Sequence, residues 1–236
     1  MRQSTFPALL LASAVYASLL APACVAQDKA EPWDDETPDV APVDQGSDEG
    51  SGSGSDETPV ANEKVLDHDY QIQQTSYWCG PAATRVVLSV RMTPPSQQTL
   101  ATQLGTTTNG TDWIGQVTQV LNARLGGAYY VTTEMPNDPP TQAQRERLWQ
   151  DVLRTIDADH AIVANIVAPP GNQPPGYPSN QTIYHYFAVV GYRRNEREVY
   201  IADSANFSGN QHYWLTLDKL ATLIPPKGYS SLATQP

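Results

Sequence analysis

The sequence contains few residues of the kinds that build disulfide frameworks and metal sites. Its 236 residues include two cysteines, Cys24 and Cys79, and four histidines with no close pairing along the chain. A disulfide-stapled fold needs several cysteine pairs, and a zinc site needs clustered Cys or His ligands. We therefore expect neither a disulfide framework nor a metal site. The sequence has no phosphate loop or dinucleotide fingerprint, so no cofactor is expected either.

Basic residues are also scarce. The chain has 14 Lys and Arg residues against 25 Asp and Glu residues, a net charge of −11. Residues 27–62 alone carry eleven acidic residues and one lysine, which leaves 14 acidic and 12 basic residues, a net charge of −2, from Glu63 onward. A nucleic-acid-binding domain would present a basic patch, and the sequence has none. We therefore expect no nucleic-acid partner.

No apolar run reaches the roughly 20 residues that a membrane-spanning helix needs. The first apolar stretch follows Arg2, is bounded by Pro7 and Pro22, and is followed by small residues. This layout is typical of a secretory signal. We predict a signal peptide over residues 1–26, no membrane span, and a secreted or cell-surface protein.

Cys24 raises an alternative to simple secretion, which is a lipid anchor on a new N-terminal cysteine. Ala21 and Pro22 match the usual Leu-Ala-Gly pattern of such sites poorly, so secretion is favoured. Residues 27–62 are rich in Asp, Glu, Gly, Ser and Pro, a composition that buries too little apolar surface to fold. We predict a disordered acidic linker there and one domain over residues 63–236.

The domain begins with helical patterns and ends with strands. The motif CGP at 79–81 should open a helix that stops before Pro94, because proline suits a first helical turn and the residue before a proline avoids helical angles. Two more helices are predicted, one capped by Thr111 or Asp112 that runs through 114–121, and one capped by Thr141. Four β-branched or aromatic runs follow: AIVANIVA, YHYFAVVGYR, EVYIADS and YWLTL. This order predicts an α+β fold in which the second and third runs form a hairpin.

A long segment between the first two of these runs has no regular pattern. Residues 168–182 are rich in Pro and Gly, which favours a surface loop. The loop leads into the strand that carries His185. We interpret it as a candidate substrate-side lid.

Cys79 is the first candidate for chemistry. The N-terminal end of a helix carries partial positive charge and N–H groups without helical acceptors, which stabilise a thiolate. If Cys24 is removed with the signal or lipidated, Cys79 is the single thiol of the domain. A buried cysteine at the start of a core helix is the structural alternative. The flanking aromatic residues and the Gly-Pro pair favour a functional role.

His185 is the candidate base, and Asp203 is the candidate residue that orients it. His185 opens one strand of the predicted hairpin and Asp203 ends the other, so both fall at the same end. A packing histidine and a turn-capping aspartate are the structural alternatives. Asn206 is the second choice for the orienting role. His68 and His160 are expected to be surface residues.

The sequence around these residues resembles a known family. Gln73 lies six residues before Cys79 in QQTSYWCGPAAT, His185 begins HYFAVVGY, and Asp203 ends YIAD. In this order, over residues 70–204, the motifs resemble those of the family related to the bacteriocin leader-processing (double-glycine) peptidases, a branch of the papain-like cysteine peptidases. The resemblance implies a catalytic set of Cys79, His185, Asp203 and Gln73, the last as a donor to the oxyanion. The chain departs from the family where Ser-Ala follows Asp203, since relatives often have proline there.

The resemblance also implies a fold and an activity. The fold would be that of a papain-like cysteine peptidase, with N-terminal helices that include the nucleophile helix and an antiparallel β-sheet after them. The activity would be thiol-dependent hydrolysis of a peptide or isopeptide bond in a peptide or protein substrate. Two alternatives stay open: a catalytically silent papain-like binding module on the cell surface, and an acyltransferase that uses the same triad.

Overall fold

The computed structural model describes residues 61–234. The predicted signal peptide and all but the last two residues of the predicted linker lie outside this range. Within it the helices are α1 (Cys79–Ser89), α2 (Gln97–Leu104), α3 (Ile114–Leu125), α4 (Gln142–Asp157) and α5 (Leu217–Leu223). The strands are β1 (Glu63–Val65), β2 (Tyr130–Glu134), β3 (Ile162–Ala168), β4 (Ile183–Arg193), β5 (Glu198–Ala202), β6 (His212–Thr216) and β7 (Gly228–Leu232). None of these helices has the length and apolarity that crossing a bilayer requires.

The strands form one antiparallel sheet, which confirms the predicted α+β class. The strand order is β2-β7-β3-β4-β5-β6, and β1 pairs with β4. All residues of β4 from His185 to Tyr192 are buried, so both of its faces are covered. Helices α1 and α4 both contact β4 and supply this cover. The predicted hairpin is present as β4 and β5, in which Ala188 faces Ala202.

Helix α1 is the centre of the helical part. All residues from Cys79 to Leu88 are buried, and the helix packs against β4, α2 and α3. Pro81 occupies the first turn, where its missing N–H removes no helical hydrogen bond. The predicted start at Cys79 and the predicted stop before Pro94 are both confirmed.

Three elements were not predicted. Helix α2, with the sequence QQTLATQL, has too few apolar residues to show a helical period, although Ser96 caps it and Gly105 closes it in the left-handed conformation. Strands β1 and β7 are short, and β7 contains two small serines in place of β-branched residues. The cap of α3 also differs: it is Trp113, whose N–H donates to the Gln116 side chain, and not Thr111 or Asp112.

Side-chain hydrogen bonds fix the Pro-rich segment between β3 and β4. The amide of Gln173 donates to the carbonyl groups of Pro178 and Gln181 inside the loop. Lys219 Nζ donates to the Asn172 side chain from α5 at 2.7 Å. The loop therefore has a defined conformation that side-chain hydrogen bonds hold.

We predict that Gly80→Ala destabilises the domain by about 1–3 kcal/mol because of overpacking at the start of α1. A methyl group at Gly80 would lie 2.9 Å from Cβ of Thr111 and closer still to its hydroxyl oxygen. The matched control is Gly115→Ala in α3, whose methyl group would lie nearest to the ring of Trp113. That ring is 49% exposed and can move aside. Urea unfolding of both variants measures the difference, and equal losses of stability would contradict the prediction.

Candidate active site

The candidate nucleophile lies at the N-terminal end of the buried helix. Cys79 is the first residue of α1, directly after the cap residue Trp78. Its backbone N–H is one of the first four that an α-helix leaves without a helical acceptor. The helix dipole and these N–H groups favour negative charge at this point, both on a thiolate and on an oxygen atom bound beside it.

His185 and Asp203 meet at one end of the β4–β5 hairpin. His185 Nε2 lies 2.8 Å from Asp203 Oδ1, and both side chains have no solvent exposure. The pairing of Ala188 with Ala202 brings the start of β4 beside the residue that follows β5. The sequence therefore predicted this contact correctly. Asn206 lies in the following turn, and its buried Oδ1 has no hydrogen-bond partner among the described residues.

The Asp203 carboxylate accepts four hydrogen bonds. Oδ1 accepts from His185 Nε2 and, at 3.0 Å, from the N–H of Ala205. Oδ2 accepts from the hydroxyl groups of Tyr177 at 2.7 Å and Tyr213 at 2.6 Å. Burial acts to raise the pKa of Asp203, but His185 and the tyrosine donors outweigh burial and hold the pKa below its ordinary value. The group is therefore a carboxylate at neutral pH.

An ionised Asp203 determines which nitrogen of His185 carries the proton. A carboxylate can only accept hydrogen bonds, so the Nε2 that faces it must be protonated. In the neutral imidazole the acceptor lone pair is then on Nδ1. His185 is thus prepared to take a proton at Nδ1 and to hold the resulting positive charge beside Asp203.

The segment between β1 and α1 brings Gln73 to the same end of the sheet. The hydroxyl of Tyr70 donates to the backbone carbonyl of Asp203 at 2.8 Å. The backbone N–H of Gln73 donates to the carbonyl of Ser204 at 2.9 Å. The side-chain nitrogen of Gln73 donates to the carbonyl of Thr75 at 2.9 Å. Gln73 is therefore fixed by backbone contacts beside the residue that follows Asp203.

Gln97 is a residue of this region that sequence reasoning missed. Its side chain is fully buried on α2, donates to the carbonyl of Ile72 at 2.9 Å and accepts from the N–H of Gln74 at 3.0 Å. These two bonds hold the backbone on both sides of Gln73. A glutamine in a polar sequence gives no signal of burial, and its partners belong to a loop more than twenty residues away.

The start of α1 is linked to the strand that carries His185. Gly80, the residue after Cys79, contacts Thr111, whose carbonyl oxygen accepts from the hydroxyl of Tyr186 at 3.1 Å. Tyr186 is the chain neighbour of His185. The contacts of the structure thus join His185, Asp203 and Gln73 directly or through adjacent residues, and connect Cys79 to them through Gly80 and Thr111.

The second cysteine of the sequence, Cys24, lies outside the described residues. The chemistry considered below is that of reduced Cys79.

His68 is not the simple surface residue that we expected. It is half-buried, and its Nε2 lies 2.9 Å from Nε2 of His212 on β6. Its Nδ1 lies 2.9 Å from the carbonyl oxygen of Leu66. The pair links the segment before α1 to the outer strand of the sheet, a contact between residues 144 positions apart that the sequence does not reveal.

Comparison with known proteins places this arrangement in a family. Residues 65–223, more than half of the chain, match the Peptidase_C39 like family. The chain belongs to the C39-like peptidase family. By family and fold it is a cysteine peptidase of papain-like architecture, as the sequence predicted.

The chain is also similar to solved structures at low sequence identity. A putative C39-like peptidase from Bacillus anthracis superposes on this C39-like chain with a TM-score of 0.50 and 12% identity, over 74% of this chain and 99% of that one. The peptidase domain of Streptococcus ComA superposes with a TM-score of 0.45 and 17% identity, over 73% of this chain and 98% of that one. Xylellain, a cysteine protease from Xylella fastidiosa, superposes with a TM-score of 0.41 and 14% identity, over 75% of this chain and 87% of that one. No protein of curated function matches the sequence significantly.

We predict that Asp203→Asn destabilises the domain by about 3–5 kcal/mol at pH 7, because it removes the partner of a buried group. The folded-state pKa of Asp203 is lowered, so its contribution is complete above the ordinary value of 3.8 and is lost as the pH falls through the folded-state value. The difference in unfolding free energy between the two proteins should therefore be constant from pH 5 to pH 7 and shrink below about pH 4.

Urea unfolding across this pH range provides the measurement. The control is Asp67→Asn, an exposed residue, which should change stability at pH 7 by less than about 0.5 kcal/mol. A difference between wild type and Asp203→Asn that grows as the pH falls would show that Asp203 is not a carboxylate in the folded protein.

Proposed function

We propose that the protein is a secreted cysteine peptidase that hydrolyses peptide or isopeptide bonds. In this proposal Cys79 is the nucleophile, His185 the general base and acid, and Asp203 the residue that orients His185. Gln73 and the N–H of Cys79 bind the oxyanion. The observation that carries the proposal is the buried His185–Asp203 pair, which directs the Nδ1 lone pair of the base away from Asp203.

The first half of the reaction forms an acyl-enzyme. His185 Nδ1 takes the proton of the Cys79 thiol, and the thiolate attacks the carbonyl carbon of the scissile bond. The carbonyl oxygen becomes an oxyanion, which accepts hydrogen bonds from the Cys79 N–H and from Nε2 of Gln73. The C–N bond then breaks, Nδ1 gives its proton to the leaving amine, and a thioester to Cys79 remains.

The second half releases the acid. Nδ1 takes a proton from a water molecule, whose oxygen attacks the thioester carbon at the same oxyanion site. The C–S bond breaks, and Cys79 leaves as the thiolate. Both halves need a reduced sulfur, since a disulfide sulfur is not a nucleophile.

Secretion is supported by the sequence of residues 1–26 alone. Export of the full chain from a bacterial host, followed by mass measurement of the mature N-terminus, tests it. Cleavage near residue 26 supports simple secretion. A mature chain that begins with a lipid-modified Cys24 identifies the anchored form.

We predict that Cys79 reacts with iodoacetamide well below pH 8 and that His185→Ala slows this reaction. A neighbouring imidazole shares the thiol proton and keeps a thiolate available. The full chain should carry Cys24→Ser, which leaves Cys79 as its single cysteine. Alkylation rates from pH 4 to pH 10, followed by mass spectrometry, provide the measurement.

The control for this experiment is His160→Ala, which changes a half-buried histidine whose ring packs against Tyr129 and Tyr130. It should leave the profile unchanged. Alkylation that rises only near the ordinary thiol pKa of about 8.5, with no effect of His185→Ala, favours the catalytically silent binding module. Hydrolysis of labelled casein that persists in Cys79→Ala excludes the thiol mechanism.

We predict that Gln73→Ala lowers the rate of casein hydrolysis by about 100- to 1,000-fold, the usual effect of losing one oxyanion donor. The same variant should alkylate at the wild-type rate, since alkylation develops no oxyanion. Gln74→Ala is the matched control, because Gln74 is exposed and contacts Gln97 through its backbone N–H. A loss of hydrolysis in Gln74→Ala equal to that in Gln73→Ala would contradict the role of Gln73.

A further inference from the structure

Two tyrosine hydroxyl groups donate hydrogen bonds to Oδ2 of Asp203, the carboxylate oxygen that is not bonded to His185. The hydroxyl of Tyr177 donates to Oδ2 at 2.7 Å and that of Tyr213 at 2.6 Å. The two tyrosines are only 7% and 8% exposed. Burial, followed by the charge of Asp203, raises the pKa of both well above 10, so both remain neutral donors at any physiological pH.

The two tyrosines come from different kinds of structure. Tyr213 lies on β6, where it pairs with Ile201 of β5, so the sheet fixes its position directly beside the Asp203 strand. Tyr177 lies in the Pro-rich segment 169–182, which has no helix or strand. Its position depends on how that loop is held.

The loop is interlocked with the turn after Asp203. The ring of Tyr177 packs edge-on against Phe207, with centroids 4.5 Å apart, and against the ring of His185 at 6.1 Å. Ser208 donates to the carbonyl of Gly176 at 3.2 Å. Gly176 has φ +79°, and a methyl group there would lie 2.6 Å from the carbonyl oxygen of Phe207 and also meet Asn210.

This packing connects the loop to the orientation of the carboxylate. If Tyr177 withdraws, Oδ2 loses one of its two donors and the carboxylate can rotate about its Cβ–Cγ bond. Oδ1 then no longer has a fixed direction toward His185 Nε2. A catalytic group that is displaced by about 1 Å from its productive position loses much of its contribution to the reaction rate.

We propose that Tyr177 and Tyr213 are positioning residues of the Cys79–His185–Asp203 set, and that Tyr177 makes the alignment of Asp203 depend on the closed conformation of loop 169–182. This inference rests on the function proposed above. It adds a second role to the loop, whose function as a candidate substrate-side lid stays a prediction: through Tyr177 the loop holds the orienting residue. Tyr177 and Tyr213 act through Asp203 and do not touch the reacting atoms.

The hydroxyl groups can be removed while the rings stay. In the Cys24→Ser chain, Tyr177→Phe and Tyr213→Phe should each lower kcat on labelled casein by about 10- to 100-fold, the usual effect of losing a supporting hydrogen bond. KM should stay within about twofold, because both side chains are buried and their hydroxyl groups bind Asp203. The acid limb of the Cys79 alkylation profile should move to higher pH, since each hydroxyl helps to keep Asp203 ionised.

The matched control is Tyr229→Phe. Its hydroxyl donates at 2.6 Å to a different buried carboxylate, Asp151 on α4. Its removal should cost stability as the other two substitutions do, while kcat and the alkylation profile stay at wild-type values. If all three tyrosine variants lose kcat equally, or if none shifts the acid limb, the positioning role is wrong.

A separate pair of variants tests whether the alignment of Asp203 depends on loop 169–182. Gly176 and Gly171 both lie in the loop with positive φ, at +79° and +84°, but only Gly176 has neighbours that a methyl group would meet. Gly176→Ala should reproduce the kcat loss of Tyr177→Phe with the hydroxyl still present, and Gly171→Ala should not. Equal behaviour of the two alanine variants, in folded protein as judged by circular dichroism, would overturn the coupling.

One further readout separates this proposal from the proposed function. The proton on His185 Nε2, bonded to Asp203, gives a far-downfield resonance in proton NMR that is independent of any substrate. It should be sharp in wild type and in Tyr229→Phe and exchange-broadened in Tyr177→Phe. If His185→Ala leaves alkylation unchanged, the peptidase proposal fails, and the NMR result still decides whether the tyrosines hold Asp203.

Discussion

A carboxylate with no contact to solvent is the feature on which the rest of the site depends. Taking a charge out of water costs several kcal/mol unless donors replace the lost hydration. Asp203 obtains four donors, one each from β4, the loop before β4, β6 and the turn after β5. Each donor requires its element to be in place. The buried charge thereby makes four separate pieces of chain converge on one point.

The same point also fixes the approach to α1. Tyr70 binds the carbonyl of Asp203, and the N–H of Gln73 binds the carbonyl of Ser204. The segment that carries the proposed oxyanion donor is therefore anchored to the proposed orienting residue through backbone hydrogen bonds. Gln97 secures that segment from the α2 side. The proposed nucleophile lies on a helix and the proposed base on the sheet, and these contacts fix the helical part against the sheet.

The sequence was informative where a signal is local. A proline in a first turn, β-branched runs and a hairpin turn predicted α1, β3, β4 and β5, and the hairpin alone implied that His185 and Asp203 meet. The sequence was uninformative where a polar residue is buried against residues that are distant along the chain. Tyr177 lies in a Pro-rich loop whose composition indicates a surface position, yet it is buried against a carboxylate 26 residues away. The resemblance to a family named the residues proposed to react and gave no information on the groups that hold them.

Thr111 touches both layers at once, since its side chain meets Gly80 at the start of α1 and its carbonyl meets Tyr186 beside His185. Thr111 is thus a small residue that lies between α1, which carries Cys79, and β4, which carries His185. Its hydroxyl is also bonded to that of Thr106, which prevents it from turning out of the gap. The distance between the start of α1 and the strand that carries His185 therefore depends at this point on the size of a single side chain.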